Sequence, residues 1–470
     1  MNPSPPPLAG LAPPPEKAPG LLAPFYAGRG NPFERLPAAA YEEPLYRSRA
    51  LVEKLLIVSD PEAIRRVLVE NVAKYPKNAF ERGFFTALFG EGLLGSDGPV
   101  WRRHRKVMAG AFDPRSVASY GPAMTAAAER QAEAWGRLED GARIDAAEEM
   151  RLLALAVICR TMFSDEGEAL TEVAADAMIF SQSALDFDML DFLPMLGPLR
   201  IRTKAKAVRD RFAPLDAAIF RMIERRSADL AAAPRDLLTR LVEAEDSERG
   251  AGLTAQEVRD EVITIFMAGH ETTAVTLSWA WYVLSQRPEI EARLTAELDA
   301  VLGGREASAA DLPDLPYLRA FIDEVMRLYP AAPTTSVREA LADDVLAGQR
   351  VKKGTQILVC PWVVHRHRKL WEDPLAFDPE RFLPERAAGR ARFAHMPFGA
   401  GPRICIGAAL AVTEASLALA KLVRRVRLEL APEAEVKLRA VITLFPENGL
   451  PMILRRKPSR VGAELALNAA

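Results

Sequence analysis

The sequence predicts a mainly α-helical protein with a small β portion, organised as one large body. Three observations carry that prediction. Apolar residues recur at three- and four-residue spacing over 116–139, 168–187, 202–232 and 254–286, the mark of helices with one buried face. Strand-like segments are few, the clearest being Val52–Val58, Val345–Val359 and Glu435–Arg455. No linker interrupts residues 46–457, so the chain divides into an N-terminal arm over 1–45, a single domain over 46–457 and a C-terminal tail over 458–470.

Residues 1–45 are rich in Pro, Ala and Gly, a composition that favours extended, weakly packed chain. Met1-Asn-Pro-Ser-Pro-Pro-Pro lacks the basic start and apolar run of a secretory leader, and Pro13, Pro14, Pro15, Pro19 and Pro24 prevent a membrane helix. A soluble, unanchored protein is expected. Asp60-Pro61 opens a short helix, with Asp as the cap and Pro in the first turn. Thr254, with Glu257 three residues on, forms a capping box for a helix reaching Gln286, about 50 Å long at 1.5 Å per residue. Tyr317–Tyr329 reads as a helix closed by Pro330, Lys353-Gly354 as a turn within the second strand region, and Ala408–Leu417 as a strong helix former.

The chain has 470 residues, 49% apolar and 26% charged, with a formal net charge of -2. It can bury a large core, and the balanced charge argues against a nucleic-acid partner. Three cysteines, Cys159, Cys360 and Cys405, are too few and too scattered for a disulfide framework, which points to a reducing cytoplasm. Cys159 and Cys360 lie in apolar runs and read as core.

Cys405 is different. It ends a glycine-rich loop, Phe398-Gly-Ala-Gly-Pro-Arg-Ile-Cys-Ile-Gly407, and stands at the N-terminus of the helix that follows. Unpaired N–H groups and the positive end of the helix dipole favour a thiolate there, the form that binds metal. Gly399, Gly401 and Gly407 let backbone approach a flat group closely and aim N–H groups at the sulfur. Taken alone, a cysteine after such a turn is also what a small buried core residue looks like. A second irregularity lies in the long helix, where Ala268-Gly-His-Glu-Thr-Thr273 sets a glycine, an acid and two hydroxyls among Ile263, Ile265, Phe266, Ala274, Val275 and Leu277. Mid-helix Gly costs about 1 kcal/mol. It marks either a close helix crossing or a working site.

The pattern Phe-Gly-x-Gly-x-Arg-x-Cys-x-Gly resembles the heme-binding loop of the cytochrome P-450 family at every fixed position, and three further segments resemble the family in the expected order, over about residues 45–457. The resemblance implies that family's fold, with heme b between a long distal helix and a proximal cysteine loop and helix. It implies Cys405 as the iron ligand, with Phe398, Gly399 and Gly407 beside it and Ala268 on the opposite face. Trp101-Arg-Arg-His-Arg105 resembles the family's Trp-x-x-x-Arg, so Trp101, His104 and Arg105 join Arg338 and Arg403 as propionate contacts. Thr272 is then the hydroxyl on the oxygen side and Glu271 the acid that supplies it with protons. Glu324 and Arg327 resemble Glu-x-x-Arg, and with Arg381 of Asp378-Pro-Glu-Arg-Phe382 they form a buried network that supports the heme loop.

The implied activity is monooxygenation: one atom of O2 enters a C–H bond of a lipophilic small molecule such as a fatty acid, terpene or steroid. Candidate substrate contacts are Leu93, Leu94, Ala268, Ala332, Thr334, Thr335 and Leu444. With no reductase segment before Ala470, electrons are expected from a ferredoxin or flavodoxin with its reductase, and Arg102, Arg103 and Lys106 could form its docking patch. A peroxide-driven peroxygenase and a non-enzymatic heme sensor or electron carrier are the alternatives. Glu271-Thr272 argue against the first, and the want of an obvious second axial ligand against the second.

Two motifs are rejected. Gly90-Glu-Gly-Leu-Leu-Gly95 fits Gly-x-Gly-x-x-Gly but lacks a helix opening within it, so it reads as a flexible loop over the pocket. His270-Glu271 would need a second histidine at 274 to bind zinc, and that residue is Ala. His365, His367 and His395 read as surface or structural residues.

Overall fold

Thr254 starts one of the two longest helices. Its hydroxyl accepts from the Glu257 N–H while the Glu257 carboxylate accepts from the Thr254 N–H, and the helix runs 32 residues to Gln286. The protein is described by a computed structural model that covers residues 8–17, 30–48, 55–164, 173, 197–246 and 251–457. Among these, the helices of seven residues or more are α1 (Ala79–Phe89), α2 (Gly98–Ala109), α3 (Pro114–Arg137), α4 (Ala146–Phe163), α5 (Gly197–Ala228), α6 (Leu237–Glu243), α7 (Ala255–Gln286), α8 (Pro288–Leu302), α9 (Pro316–Leu328) and α10 (Ala408–Leu422). Expected helices at 116–139, 202–232 and 254–286 correspond to α3, α5 and α7. The one expected at 168–187 lies outside the described residues but for 173.

α7 threads the middle of the molecule and is buried almost all round from Val258 to Leu284. Its closest partner is α4, whose apolar residues are likewise not confined to one face. At their crossing a Cβ on Gly269 would stand 2.8 Å from Ile158 Cδ1, so the mid-helix glycine marks a close approach of the two helices. α10 lies along α3 and touches α7 and α9, which brings the helix after Cys405 beneath the long helix.

The β portion is peripheral. Strands β1 (Leu45–Arg47), β2 (Leu55–Val58), β9 (Gln356–Val359) and β6 (Arg338–Glu339) form one sheet in that order, with β2 and β9 parallel. A second sheet orders β10 (Val426–Leu430), β13 (Pro451–Arg456) and β3 (Arg143–Asp145). Among the described residues three two-stranded pairs complete it: β4 (Glu245–Asp246) with β5 (Ala251–Gly252), β7 (Asp344–Leu346) with β8 (Gln349–Val351), and β11 (Leu438–Ala440) with β12 (Leu444–Pro446). The region Val345–Val359 thus serves two sheets. Its turn, with Gly354 at φ +80°, carries the chain from β8 across to β9.

The described part of residues 1–45 is not a loose arm. Leu8 and Leu11 are buried, and the Ala9 peptide is held between two phenols: its N–H donates to Tyr282 Oη at 2.9 Å and its carbonyl accepts from Tyr329 Oη at 2.8 Å. Pro-rich composition disfavours helix but does not stop two leucines three apart from packing on the cluster where Trp279 stacks on Tyr329 at 4.5 Å.

Candidate active site

The cysteine loop closes on itself through Gly399 N–H to Met396 O at 3.0 Å and Cys405 N–H to Phe398 O at 2.9 Å. Gly401, at φ +72°, has no alternative, because a Cβ there would sit 1.9 Å from Leu68 O. The accessible face of Cys405 opens on an interior cavity rather than on bulk water. Burial pushes its thiol up, against the pull of the Gly407 N–H and the Arg105 guanidinium. Coordination to a metal ion removes such a proton outright.

Behind the loop stands a buried network. Arg327 pairs with Glu324 in a fork, Nε to Oε2 at 2.6 Å and Nη2 to Oε1 at 2.7 Å, and spends its other N–H groups on the carbonyls of His365, Pro374 and Ala376. Glu324 also accepts from the Asp378 N–H at 2.7 Å. Arg381 joins at 3.7 Å, as an ion pair without a direct hydrogen bond, and donates to the carbonyls of Glu372 and Asp373. His365, which no local pattern singles out, connects the network to the loop. Its Nδ1 lies 3.1 Å from Arg327 O and its Nε2 accepts from the Met396 N–H at 2.9 Å, which fixes a neutral ring protonated on Nδ1.

Opposite the thiol, the cavity is walled by α7. Ala268, Gly269 and Thr272 face it, with Thr273 and Thr276 beyond. The helix stays unbroken here, and Thr272 Oγ1 donates to Ala268 O at 2.8 Å. Glu271 is not on the cavity wall. It is half-buried and accepts from Thr443 Oγ1 at 2.5 Å.

One corner of the cavity is cationic. Trp101, Arg105, Arg338 and Arg403 converge there, together with Lys77, which lies in no recognisable motif. Arg403 stacks over Trp101 at 4.2 Å and pairs with Asp97, the residue that caps α2, while Arg105 donates to Ile404 O at 2.7 Å. Arg338 is buried, yet its Nε and Nη1 have no hydrogen-bond partner among the described residues. Burial, reinforced by Arg403, pushes Arg338 down to about 10 and Lys77 to about 8. Four crowded cations beside Asp97 and Glu81, with donors left over, fit a ligand that brings two more carboxylates, as heme b does.

His104 does not join them. It is fully buried with Nδ1 2.6 Å from Glu261 Oε1 on α7, and it does not touch the cavity. Trp101 and Arg105, four apart on α2, share the cavity face, and His104 is turned aside. Arg103 is likewise engaged with Glu257 and drops out of the suggested docking patch, leaving Arg102 and Lys106 exposed.

Leu93, Leu94, Ala332, Thr334 and Thr335 line the cavity with Ile265 and Thr264. Leu444 does not. It is fully buried in the core, where its carbonyl accepts from Trp279 Nε1 at 2.7 Å. The cavity measures about 360 Å³, within the ~300–1,000 Å³ of a ligand site.

A thiol on one wall, hydroxyls on a long helix opposite and an unsatisfied guanidinium corner define a heme-thiolate protein. The chain belongs to the cytochrome P-450 family, whose model matches residues 13–448. It is 36% identical over 398 residues to pentalenene oxygenase of Streptomyces avermitilis, covering 82% of this chain and 84% of that one. To cyclooctat-9-en-7-ol 5-monooxygenase of Streptomyces melanosporofaciens it is 33% identical over 410 residues, 86% of each chain. The crystal structure of the cytochrome P-450DA heme domain superposes with a TM-score of 0.77 at 25% identity, over 88% of this chain and 90% of that one. The protein is therefore a monooxygenase with heme b as cofactor, dependent on O2, an organic substrate and redox partners. Among the described residues no helix is long and apolar enough to cross a membrane.

Proposed function

We propose that this chain hydroxylates a terpenoid, with Cys405 as the thiolate ligand of the heme iron. The observation that carries the reading is one cavity lined by the Cys405 thiol and by Thr272, with an apolar part formed by Leu93, Leu94, Ile265 and Ala332. Such walls orient a hydrocarbon by shape and leave polar recognition to Thr334 and Thr335, of which Thr335 already donates to Val359 O at 3.0 Å. The two relatives, named for pentalenene and cyclooctat-9-en-7-ol, act on terpenoids, which favours that class over fatty acids.

When bound, heme supplies the oxygen-activating chemistry, and donation from a cysteine thiolate favours O–O cleavage. Arg338, Arg403, Arg105, Lys77 and Trp101 hold its carboxylates in the cationic corner. Gly399 and Gly407 give backbone access beside the sulfur, and Phe398 packs at the loop's entry. Thr272 Oγ1 holds water and passes protons on the oxygen side, and Glu271 resupplies it after exchanging its Thr443 contact for a water chain. Electrons come from a ferredoxin or flavodoxin with its reductase in the cytoplasm.

The first test is the difference spectrum of dithionite-reduced protein with carbon monoxide. A red-shifted Soret band in the parent and its loss in Cys405→Ser support the ligand assignment. A band at the position of histidine or thiol ligation in the parent overturns it. Turnover with a panel of cyclic terpenes under 18O2 and both donor systems then tests the substrate class; labelled product only from fatty acids would remove it. Thr272→Ala should retain heme and substrate binding while product per electron falls at least about tenfold, toward peroxide and water. Tightly coupled turnover in that variant would show that another group handles the protons.

A further inference from the structure

The loop Gly90–Gly95 is not a free flap. Glu91 N–H donates to Asp260 Oδ2 at 2.8 Å and Leu93 N–H to Glu261 Oε2 at 3.3 Å, both carboxylates belonging to the first turns of α7. Its glycines serve that contact. A Cβ on Gly90 would lie 2.2 Å from the Asp260 carboxyl, and one on Gly92 2.2 Å from Thr264 Oγ1, a buried hydroxyl without a partner among the described residues. The two acids are 4% and 0% exposed. Buried carboxylates are costly unless their oxygens are bonded, and here each is completed from two sides. Asp260 takes Gln256 and Arg259 besides the loop, and Glu261 takes His104. Loop withdrawal would strip both at once. The far end of the loop is fixed as well, since Leu94 O accepts from Lys77 Nζ at 2.6 Å.

We infer that Asp260 and Glu261, with His104 behind Glu261, are positioning residues that set how deep Leu93 and Leu94 reach into the cavity and so which part of a bulky ligand faces the iron. The inference rests on reading the cavity as the substrate site. Burial of the acceptors makes the loop's position a discrete state rather than a graded one. The glycine pattern that fails as a nucleotide motif is thereby explained as a backbone laid flat on two acids.

The test uses the holoenzyme and two azoles that bind heme iron. Imidazole is too small to meet the loop, whereas 4-phenylimidazole extends into the apolar part of the cavity. In Glu261→Gln the dissociation constant for 4-phenylimidazole, read from the Soret shift, should rise about tenfold, equivalent to about 1.4 kcal/mol, while that for imidazole stays within about twofold. Amide exchange over 90–95 should accelerate in the same variant. Gly92→Ala, which presses the loop off α7 from the other side, should give the same signature, and it decides the matter if Glu261→Gln does not fold. Folded variants with parental constants for both azoles and parental exchange over 90–95 overturn the inference. Failure of the hydroxylase reading is separate, because it leaves terpenes unoxidised by parent and variants alike while the azole ratio and the exchange still move.

Discussion

His365 shows how one side chain can join a stability problem to a functional one. Desolvation, with the positive Arg327 beside it, pushes its imidazole down to about 3 from an ordinary 6.5, and its Nε2 lone pair is occupied by the Met396 N–H. The ring stays neutral in the folded protein while the unfolded chain binds a proton below pH 6.5. Between pH 6.5 and about 3 the unfolded state therefore holds more protons, and stability falls as pH falls, by about 1.4 kcal/mol per pH unit at most. His270, pushed to about 4 by burial, adds in the same direction. His365→Asn should be less stable at pH 7.5 yet lose less on acidification, as thermal melts from pH 7.5 to 4.5 will report; parallel curves would mean that His365 is protonated in the fold.

At the scale of elements, α9 and the segment after it act as a bracket for the cysteine loop. Glu324 and Arg327 are both fully buried, so removing one strands the other in an apolar setting. Glu324→Ala should cost about 3–5 kcal/mol and shed heme, measured as melting temperature and as the heme-to-protein ratio after gel filtration. A stable, fully loaded variant would show that the backbone alone supports the loop. This bracket was largely legible in the sequence because its parts sit at fixed short spacings: Glu324 to Arg327, and the ten residues ending at Gly407. What crosses between elements was not. Lys77 and His365 belong to no local pattern, and their partners lie far along the chain or on another element. His104 was drawn toward the site by Trp101 and Arg105, which line the cavity while it faces Glu261, and Leu444 by the family resemblance alone. α4 escaped notice for a different reason: its charged residues, Glu148, Glu149, Arg151 and Arg160, do not gather into the single polar stripe that makes helical periodicity visible.

For the whole molecule, a net charge of -2 conceals a local asymmetry. Arg102 and Lys106 are exposed on α2, whose other face carries Trp101 and Arg105 into the cationic corner. An acidic donor approaching this face would be steered by exposed charges and weakened by screening. The rate of first electron transfer from such a donor should fall steeply as ionic strength rises from about 0.01 to 0.15 M, and Arg102→Glu should flatten that dependence. A salt-independent rate in stopped-flow reduction would place the docking face elsewhere.

The grip of Tyr282 and Tyr329 on Ala9 has a bearing on how the chain is made. The two contacts span 273 and 320 residues of sequence. At ribosomal rates of roughly 5–20 residues per second, Ala9 is synthesised about 16–64 s before Tyr329. The first described segment of the chain therefore takes its place among the last, and the prolines that keep it from forming structure of its own hold it available until its partners arrive.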